Sequence, residues 1–186
     1  LWPDRPERVA RQNLRQSLYH LRSLLDDGGA PEQQRTPPFL LIARHTVQFN
    51  PQSDHRLDVA EFLACLAQGH PERAAELYRG ELLAGLFVPS VAFEEWLVMT
   101  RERFHRLALE GLYQLTRQYL ERGDLALAQR YARQQLTLEP WREEAHRQLM
   151  WALAATGQRS AALAQYETCR QALVVEFGAE PGPETT

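Results

Sequence analysis

A group of arginine and amide side chains near the start of the chain has the spacing of a nucleic-acid-binding helix. On one helical face lie Arg8, Arg11, Gln12, Arg15, Tyr19 and Arg22. Arginine can grip guanine with two hydrogen bonds, glutamine can pair with adenine, and the other guanidinium groups can contact phosphates. A solvated helix face has the same pattern, because arginine covers apolar edges with its stem and keeps its charge in water. The residue types alone therefore leave DNA contact and solvation both open.

The helix that would position these side chains is predicted over residues 6–26. Pro6 is a residue favoured in the first helical turn. Apolar residues then recur every three or four positions, the spacing of a buried stripe; they are Ala10, Leu14, Leu18, Leu21 and Leu25. Five arginines face a single acid, Glu7, between Arg5 and Arg22, although the net charge of the chain is −3. Such a local basic stripe can bind phosphate even when the chain as a whole is acidic.

A β-hairpin is predicted after this helix, with strands at residues 39–43 and 47–50. An isolated two-stranded hairpin is marginal in water, so it must pack against a neighbour, and the helix is the obvious one. Arg44 and His45 lie at its tip, where they can reach a minor groove or a phosphate. Surface positions without a role are the alternative for both side chains.

Beyond Leu57 the sequence is helical almost throughout. The predicted helices are 58–68, 71–80, 92–122, 125–138, 142–156 and 159–177. Asp124 is predicted to cap the start of a helix, and Gly178 the end of one. Gly111 is a candidate bend in the longest helix, and the tail at residues 179–186 is expected to fray. Among the tryptophans, Trp2, Trp96 and Trp141 are assigned to packing.

Three glycines close helical turns and are each followed, five residues later, by an alanine. They are Gly69, Gly123 and Gly157, with Ala74, Ala128 and Ala162. Gly123 and Gly157 lie 34 residues apart, the length of a tetratricopeptide unit, which is a pair of antiparallel helices stacked on its neighbours. Alanine at the crossing point lets two helix axes approach to about 8–9 Å. Such stacks present a surface to another macromolecule and rarely do chemistry.

Residues 57–183 resemble the bacterial transcriptional activation domain (BTAD) of SARP-type regulators. The resemblance is carried by residues 57–62, 78–86, 95–97, 119–124, 138–147, 162–167 and 176–181. Upstream, residues 1–4, 11–18 and 21–22 look like the end of the winged-helix DNA-binding domain that precedes BTAD in that family. The resemblance implies two parts, a C-terminal portion of a winged helix at 1–56 and a tetratricopeptide-like BTAD at 57–186. It makes 6–26 the recognition helix and 39–50 the wing.

The family pattern also implies a partner-binding surface on the first helix of each repeat. The positions concerned are Tyr113, Arg117, Arg147 and Trp151. Protein-binding surfaces favour such mixtures of aromatic residues and arginine. Tyr113 and Trp151 can equally be core residues between neighbouring helix pairs.

Catalytic and cofactor sites find no support in the sequence. The six histidines are scattered without metal-ligand spacing. Cys65 and Cys169 lie among apolar helical residues, as buried thiols do. No apolar run approaches the roughly 18 residues that span a membrane. Since Leu1 is not a natural start and no leader follows it, we expect a fragment of a longer cytoplasmic protein, with no enzyme activity and no cofactor.

The resemblance implies a bacterial transcriptional regulator, an activator that binds promoter DNA through its winged helix. The helical domain would contact RNA polymerase, a second copy of the chain, or an effector domain. The alternative is a protein-interaction module of a larger signalling regulator, in which this fragment makes no DNA contact and the basic helix serves only for docking or packing.

Overall fold

The computed structural model describes residues 5–25, 37–44 and 46–186 of the chain. Its elements are α1 (Glu7–Leu24), β1 (Leu40–Ile42), β2 (Val47–Phe49), α2 (Asp58–Ala67), α3 (Pro71–Leu77), α4 (Val91–Arg122), α5 (Leu125–Leu138), α6 (Glu143–Ala155) and α7 (Arg159–Phe177). The predicted mainly α class with a single short hairpin is thereby confirmed for the described residues. The chain divides into two compact units, Leu1–Leu57 and Asp58–Thr186.

The first unit contains α1 and the β-hairpin. The two strands are antiparallel, with Leu40 opposite Phe49. The Asn50 amide extends the ladder by donating to the Phe39 carbonyl at 2.8 Å. The helix and both strands occur where the sequence predicts them. His45, at the predicted hairpin tip, lies outside the described residues.

The second unit is a series of helices in which α4, α5, α6 and α7 each pack against the next. Short turns connect them, and Gly123 ends α4 with φ of 77°, a left-handed conformation that glycine adopts without strain. The Asp124 carboxylate then accepts a 3.3 Å hydrogen bond from the Leu127 amide, as the sequence predicts for a helix cap. Gly157 repeats the left-handed turn between α6 and α7, with φ of 78°.

Small residues lie where these helices cross. Ala74 and Ala128 are buried, and Ala162 packs against the cluster formed by Leu149 and Leu153. A side chain reduced to one methyl group lets neighbouring helices pack closely, which is the role predicted for these alanines. The two cysteines are buried free thiols, again as predicted.

Two local predictions in the second unit are wrong. α3 ends at Leu77 and not at residue 80, because Tyr78 turns into an extended conformation and packs its ring against Phe62. The bend at Gly111 stays a prediction; α4 is one continuous helix there, and a Cβ at Gly111 would lie 3.3 Å from the Leu66 side chain, so this glycine permits close packing of α2. Trp96 is 50% exposed, since the neighbouring Leu97 is the residue that enters the core.

The tail after α7 is anchored, which contradicts the predicted fraying. The amide of Gly182 donates a 3.0 Å hydrogen bond to the Glu143 carboxylate on α6. Thr185 is buried and its hydroxyl donates to the same carboxylate oxygen. Trp141, just before α6, packs its indole edge-on against Phe177 as expected.

Candidate nucleic-acid interface and partner surface

The polar face of α1 is open to solvent. It contains no buried residue, so the side chains predicted to bind DNA are all exposed: Arg8, Arg11, Gln12, Arg15, Tyr19 and Arg22. The Pro6 carbonyl accepts from the amides of Val9 and Ala10, which starts the helix without a side-chain cap. Glu7 in the first turn and Arg22 in the last both suit the helix dipole.

The apolar stripe of α1 is only partly covered. Leu14 and Leu18 are half-buried, whereas Leu21 and Leu24 are exposed. A helix with one apolar stripe normally buries it against a partner element. Among the described residues of the first unit, those of the hairpin share a groove with Leu14 and Leu18, whereas Leu21 and Leu24 stay exposed.

A groove between α1 and the hairpin brings together three of the predicted cations. Arg11 and Arg15 line it from the helix, and Arg44 lines it from the hairpin. Its volume is about 760 Å³, and among the described residues the rest of its lining is Leu14, Leu18, Ile42, Ala43, Thr46 and Val47. Side chains separated by about 30 positions in sequence therefore form one positively charged rim over an apolar floor.

One ion pair occupies this rim. The Arg11 guanidinium pairs with the Glu7 carboxylate one helical turn earlier, and both side chains are more than two-thirds exposed. Exposed pairs at this spacing contribute only about 0.3–0.5 kcal/mol. Arg11 can therefore leave Glu7 for a phosphate oxygen at little cost.

The four predicted partner-binding residues do not behave alike. Arg117 is exposed and forms a 3.4 Å ion pair with Glu121. Trp151 is 54% exposed, so its alternative assignment to the core is wrong. Tyr113 is half-buried beside α6, where its carbonyl accepts a hydrogen bond from the Gln148 side chain at 3.2 Å.

Arg147, the fourth of these residues, is held by the tail. Its guanidinium donates to the Thr185 hydroxyl at 3.1 Å and lies 3.4 Å from the Glu184 carboxylate. A partner that bound Arg147 would first have to displace these contacts. The structure therefore leaves Arg117 and Trp151 open, whereas Arg147 is engaged within the chain.

Burial shifts the pKa of two side chains of the second unit, His146 and Cys169, toward the uncharged form. Burial lowers the pKa of His146, whose Nε2 lies 2.8 Å from the Pro140 carbonyl oxygen. Burial raises the pKa of the Cys169 thiol to about 11, so it is protonated and a poor nucleophile at neutral pH. No group of three metal-ligating side chains occurs within residues 5–25, 37–44 and 46–186.

A surface that the sequence patterns did not reveal lies on the first turns of α4. Val91, Val98 and Met99 are all more than 60% exposed, next to the exposed Trp96. The sequence does contain an indication of this surface, because these apolar residues interrupt a run of charged ones. It is easily missed, because apolar residues at helical spacing usually form a core.

The fold defines a helical domain that is preceded in the sequence by a short basic segment. Residues 55–186 match the family described as the bacterial transcriptional activator domain, BTAD. This match spans more than half of the chain, and the protein belongs to that family, as the sequence motifs indicated. No match is found among curated proteins. Within the described residues, no helix is long and apolar enough to cross a membrane.

Proposed function

We propose that the protein is a bacterial transcriptional activator that binds promoter DNA through α1 and the hairpin. The family match identifies an activator-type regulatory domain at residues 55–186. DNA contact by the preceding residues and partner contact by the helical unit are the additional steps of this proposal. Recruitment of this kind needs no covalent chemistry.

The observation that carries the proposal is the convergence of Arg11, Arg15 and Arg44 on one groove. A row of guanidinium groups on a helix matches the phosphates and guanine edges of a major groove. A cation at the end of a hairpin can meet the adjacent backbone, which is how the family's wing is expected to act. None of the described residues that line the groove is acidic, and the Glu7 carboxylate beside it is already paired with Arg11.

The charge distribution supports the same assignment. The second unit carries more acids than arginines, so repulsion from the DNA backbone keeps it away from the duplex. Its exposed aromatic and arginine side chains, Trp151 and Arg117, are suited to protein contact. RNA polymerase and a second copy of the chain are the partners that we propose for this unit.

A titration of promoter DNA tests the proposal. The full-length protein and its Arg11→Ala/Arg15→Ala variant would be titrated against DNA from the region upstream of its own gene, at several salt concentrations. Loss of two phosphate contacts should reduce the slope of log K against log salt by about 2. Arg159→Ala is the matched control, because Arg159 is exposed on α7 and forms no ion pair within the described residues.

Unchanged affinity and an unchanged slope in the double variant would reject DNA contact by α1. The exposed apolar residues Leu21 and Leu24 favour the second candidate function, a protein-docking helix. A protein-docking role predicts that Leu21→Ser disrupts a protein complex, whereas the arginine variants bind DNA no more weakly than the wild type.

A further inference from the structure

The N-terminal half of α4 has an apolar surface that the described residues leave uncovered. Val91 and Met99 are each 72% exposed and Val98 is 63% exposed. Phe87, just before the helix, is 76% exposed. In the first ten residues of α4, Leu97 alone is buried. Clusters of exposed apolar side chains commonly mark interaction sites.

Two residues of opposite charge lie on either side of Met99, at the centre of this surface. Glu95 lies four residues before Met99 and Arg103 lies four residues after it. These three positions form one i, i+4, i+8 row on the exposed side of the helix. Neither Glu95 nor Arg103 has an ion-pair partner among the residues that the structure describes.

The charges of this row would pair with those of an identical row that runs in the opposite direction. In a two-fold symmetric contact, each residue of one copy faces the symmetry-related position of the other. With the axis at Met99, the two Met99 side chains meet, and Glu95 of each copy lies opposite Arg103 of the other. A partner of a different kind would not require opposite charges at equal distances from the centre.

We propose that two copies of this chain pair through the N-terminal halves of α4, antiparallel, about a two-fold axis at Met99. Rows of residues four apart interdigitate when helices cross at about −50°, the commonest packing class. Glu95 and Arg103 each lie about 6 Å along the helix from the axis, close enough to stay within such a crossing. Val98 and the half-exposed Trp96 flank the row on its two sides and add apolar area, and the exposed Glu102 lies on the Val98 side.

The pairing gives a specific surface to the self-contact that the proposed function assigns to the helical unit, and it rests on that part of the proposal. It does not depend on DNA binding. Self-association is measured without DNA, whereas the promoter titration uses residues of α1. Failure of one proposal is therefore distinguishable from failure of the other.

Charge reversal tests this pairing directly. Sedimentation equilibrium of the 186-residue chain should give a dimer, with about twice the 21.4 kDa mass of one copy. Glu95→Arg alone and Arg103→Glu alone each place like charges opposite one another, and each should weaken the dimer about tenfold or more. An equimolar mixture of the two variants should recover a dimer. The row of the Glu95→Arg variant carries only positive charges, and it then faces a row of the Arg103→Glu variant that carries only negative ones.

Glu176→Arg is the control, since it makes the same charge change on exposed α7 surface. It should leave the dimer intact, and circular dichroism should show unchanged helix content in every variant. The proposal is overturned if the wild-type chain stays monomeric at high micromolar concentration, as it would if this surface binds a different protein. It is equally overturned if the single variants dimerise like the wild type or the mixture does not recover.

Discussion

The Thr185 hydroxyl donates a 2.7 Å hydrogen bond to the Glu143 carboxylate, joining two residues that lie 42 positions apart. The Gly182 amide donates to the same oxygen at 3.0 Å. Arg147, one turn after Glu143, binds Thr185 as well. The tail thus closes over the start of α6, and a segment rich in proline and glycine becomes part of the folded unit.

These contacts give the tail a dependence on pH. The Thr185 hydrogen bond, with the Gly182 amide and the Arg147 charge, lowers the pKa of Glu143 below its ordinary value of 4.5. Because the folded pKa lies below the unfolded one, the carboxylate contributes its full stability above pH 4.5 and loses it as pH falls through the folded pKa. We expect the Gly182 amide to exchange with solvent faster, after correction for the intrinsic rate, as pH falls below about 4.5.

Glu143→Gln should abolish most of this dependence. A hydrogen bond to a charged group contributes about 1.5–3 kcal/mol, and partial exposure of Glu143 favours the lower end. Hydrogen exchange measured by NMR should therefore show roughly tenfold lower protection of Gly182 in the variant at pH 7. Glu144→Gln, on the neighbouring exposed residue, is the control. Equal protection in both variants would show that Glu143 does not anchor the tail.

The anchored tail also shows which kind of feature could not be predicted from the sequence. The end of α7 was predictable because Gly178 and the prolines after it act locally. The attachment of Thr185 was not, since it depends on a carboxylate 42 residues away. The same distinction explains Trp96: periodicity identifies a helix, but it does not say which apolar stripe the rest of the chain covers.

The basic segment illustrates the distinction in the first unit. Charge and spacing in the sequence indicated Arg11, Arg15 and Arg44 one by one. Their common groove depends on where the hairpin lies relative to α1, which no local pattern encodes. The half-buried Leu14 and Leu18 form its floor, so residues assigned only to packing also shape the candidate site.

A buried polar network should make Thr116 sensitive to substitution. Its hydroxyl donates to the Leu112 carbonyl at 2.8 Å and accepts from the Gln135 side chain at 2.9 Å, in a site closed to solvent. Thr116→Val keeps the shape but leaves that Gln135 hydrogen bond unmade, which should lower the free energy of unfolding by about 1–3 kcal/mol in urea titrations.

Thr168→Val provides the comparison for this prediction. The Thr168 hydroxyl donates to the Ala164 carbonyl at 3.0 Å, also four residues back, but the residue is exposed. Loss of the Thr168 hydroxyl should change the free energy of unfolding by less than about 0.5 kcal/mol. Similar effects of the two valine substitutions would show that the buried network does not contribute to stability.

The close packing of α5 against its neighbours predicts that two alanines of this helix differ in how well they tolerate a larger side chain. Ala128 is 0% exposed, whereas Ala126 lies on the solvent side. Ala128→Leu would force the neighbouring helices apart and should cost about 1–3 kcal/mol or more. Ala126→Leu should be nearly neutral. Thermal and urea unfolding of both variants measures the contrast, and a neutral Ala128→Leu would show that small size is not required there.

The two thiols should differ in their rate of alkylation. Burial raises the pKa of Cys169 to about 11 from an ordinary value of 9.0, and its side chain is 0% exposed. At pH 8 the thiolate fraction is then lowered about a hundredfold, before lack of access slows the reaction further. Cys65, at 9% exposure, should react first. A time course with iodoacetamide, followed by peptide mass mapping, should show Cys169 unmodified in the folded protein and both thiols modified in urea. Labelling of folded Cys169 at the rate of free glutathione would contradict the packing of α7 against α6.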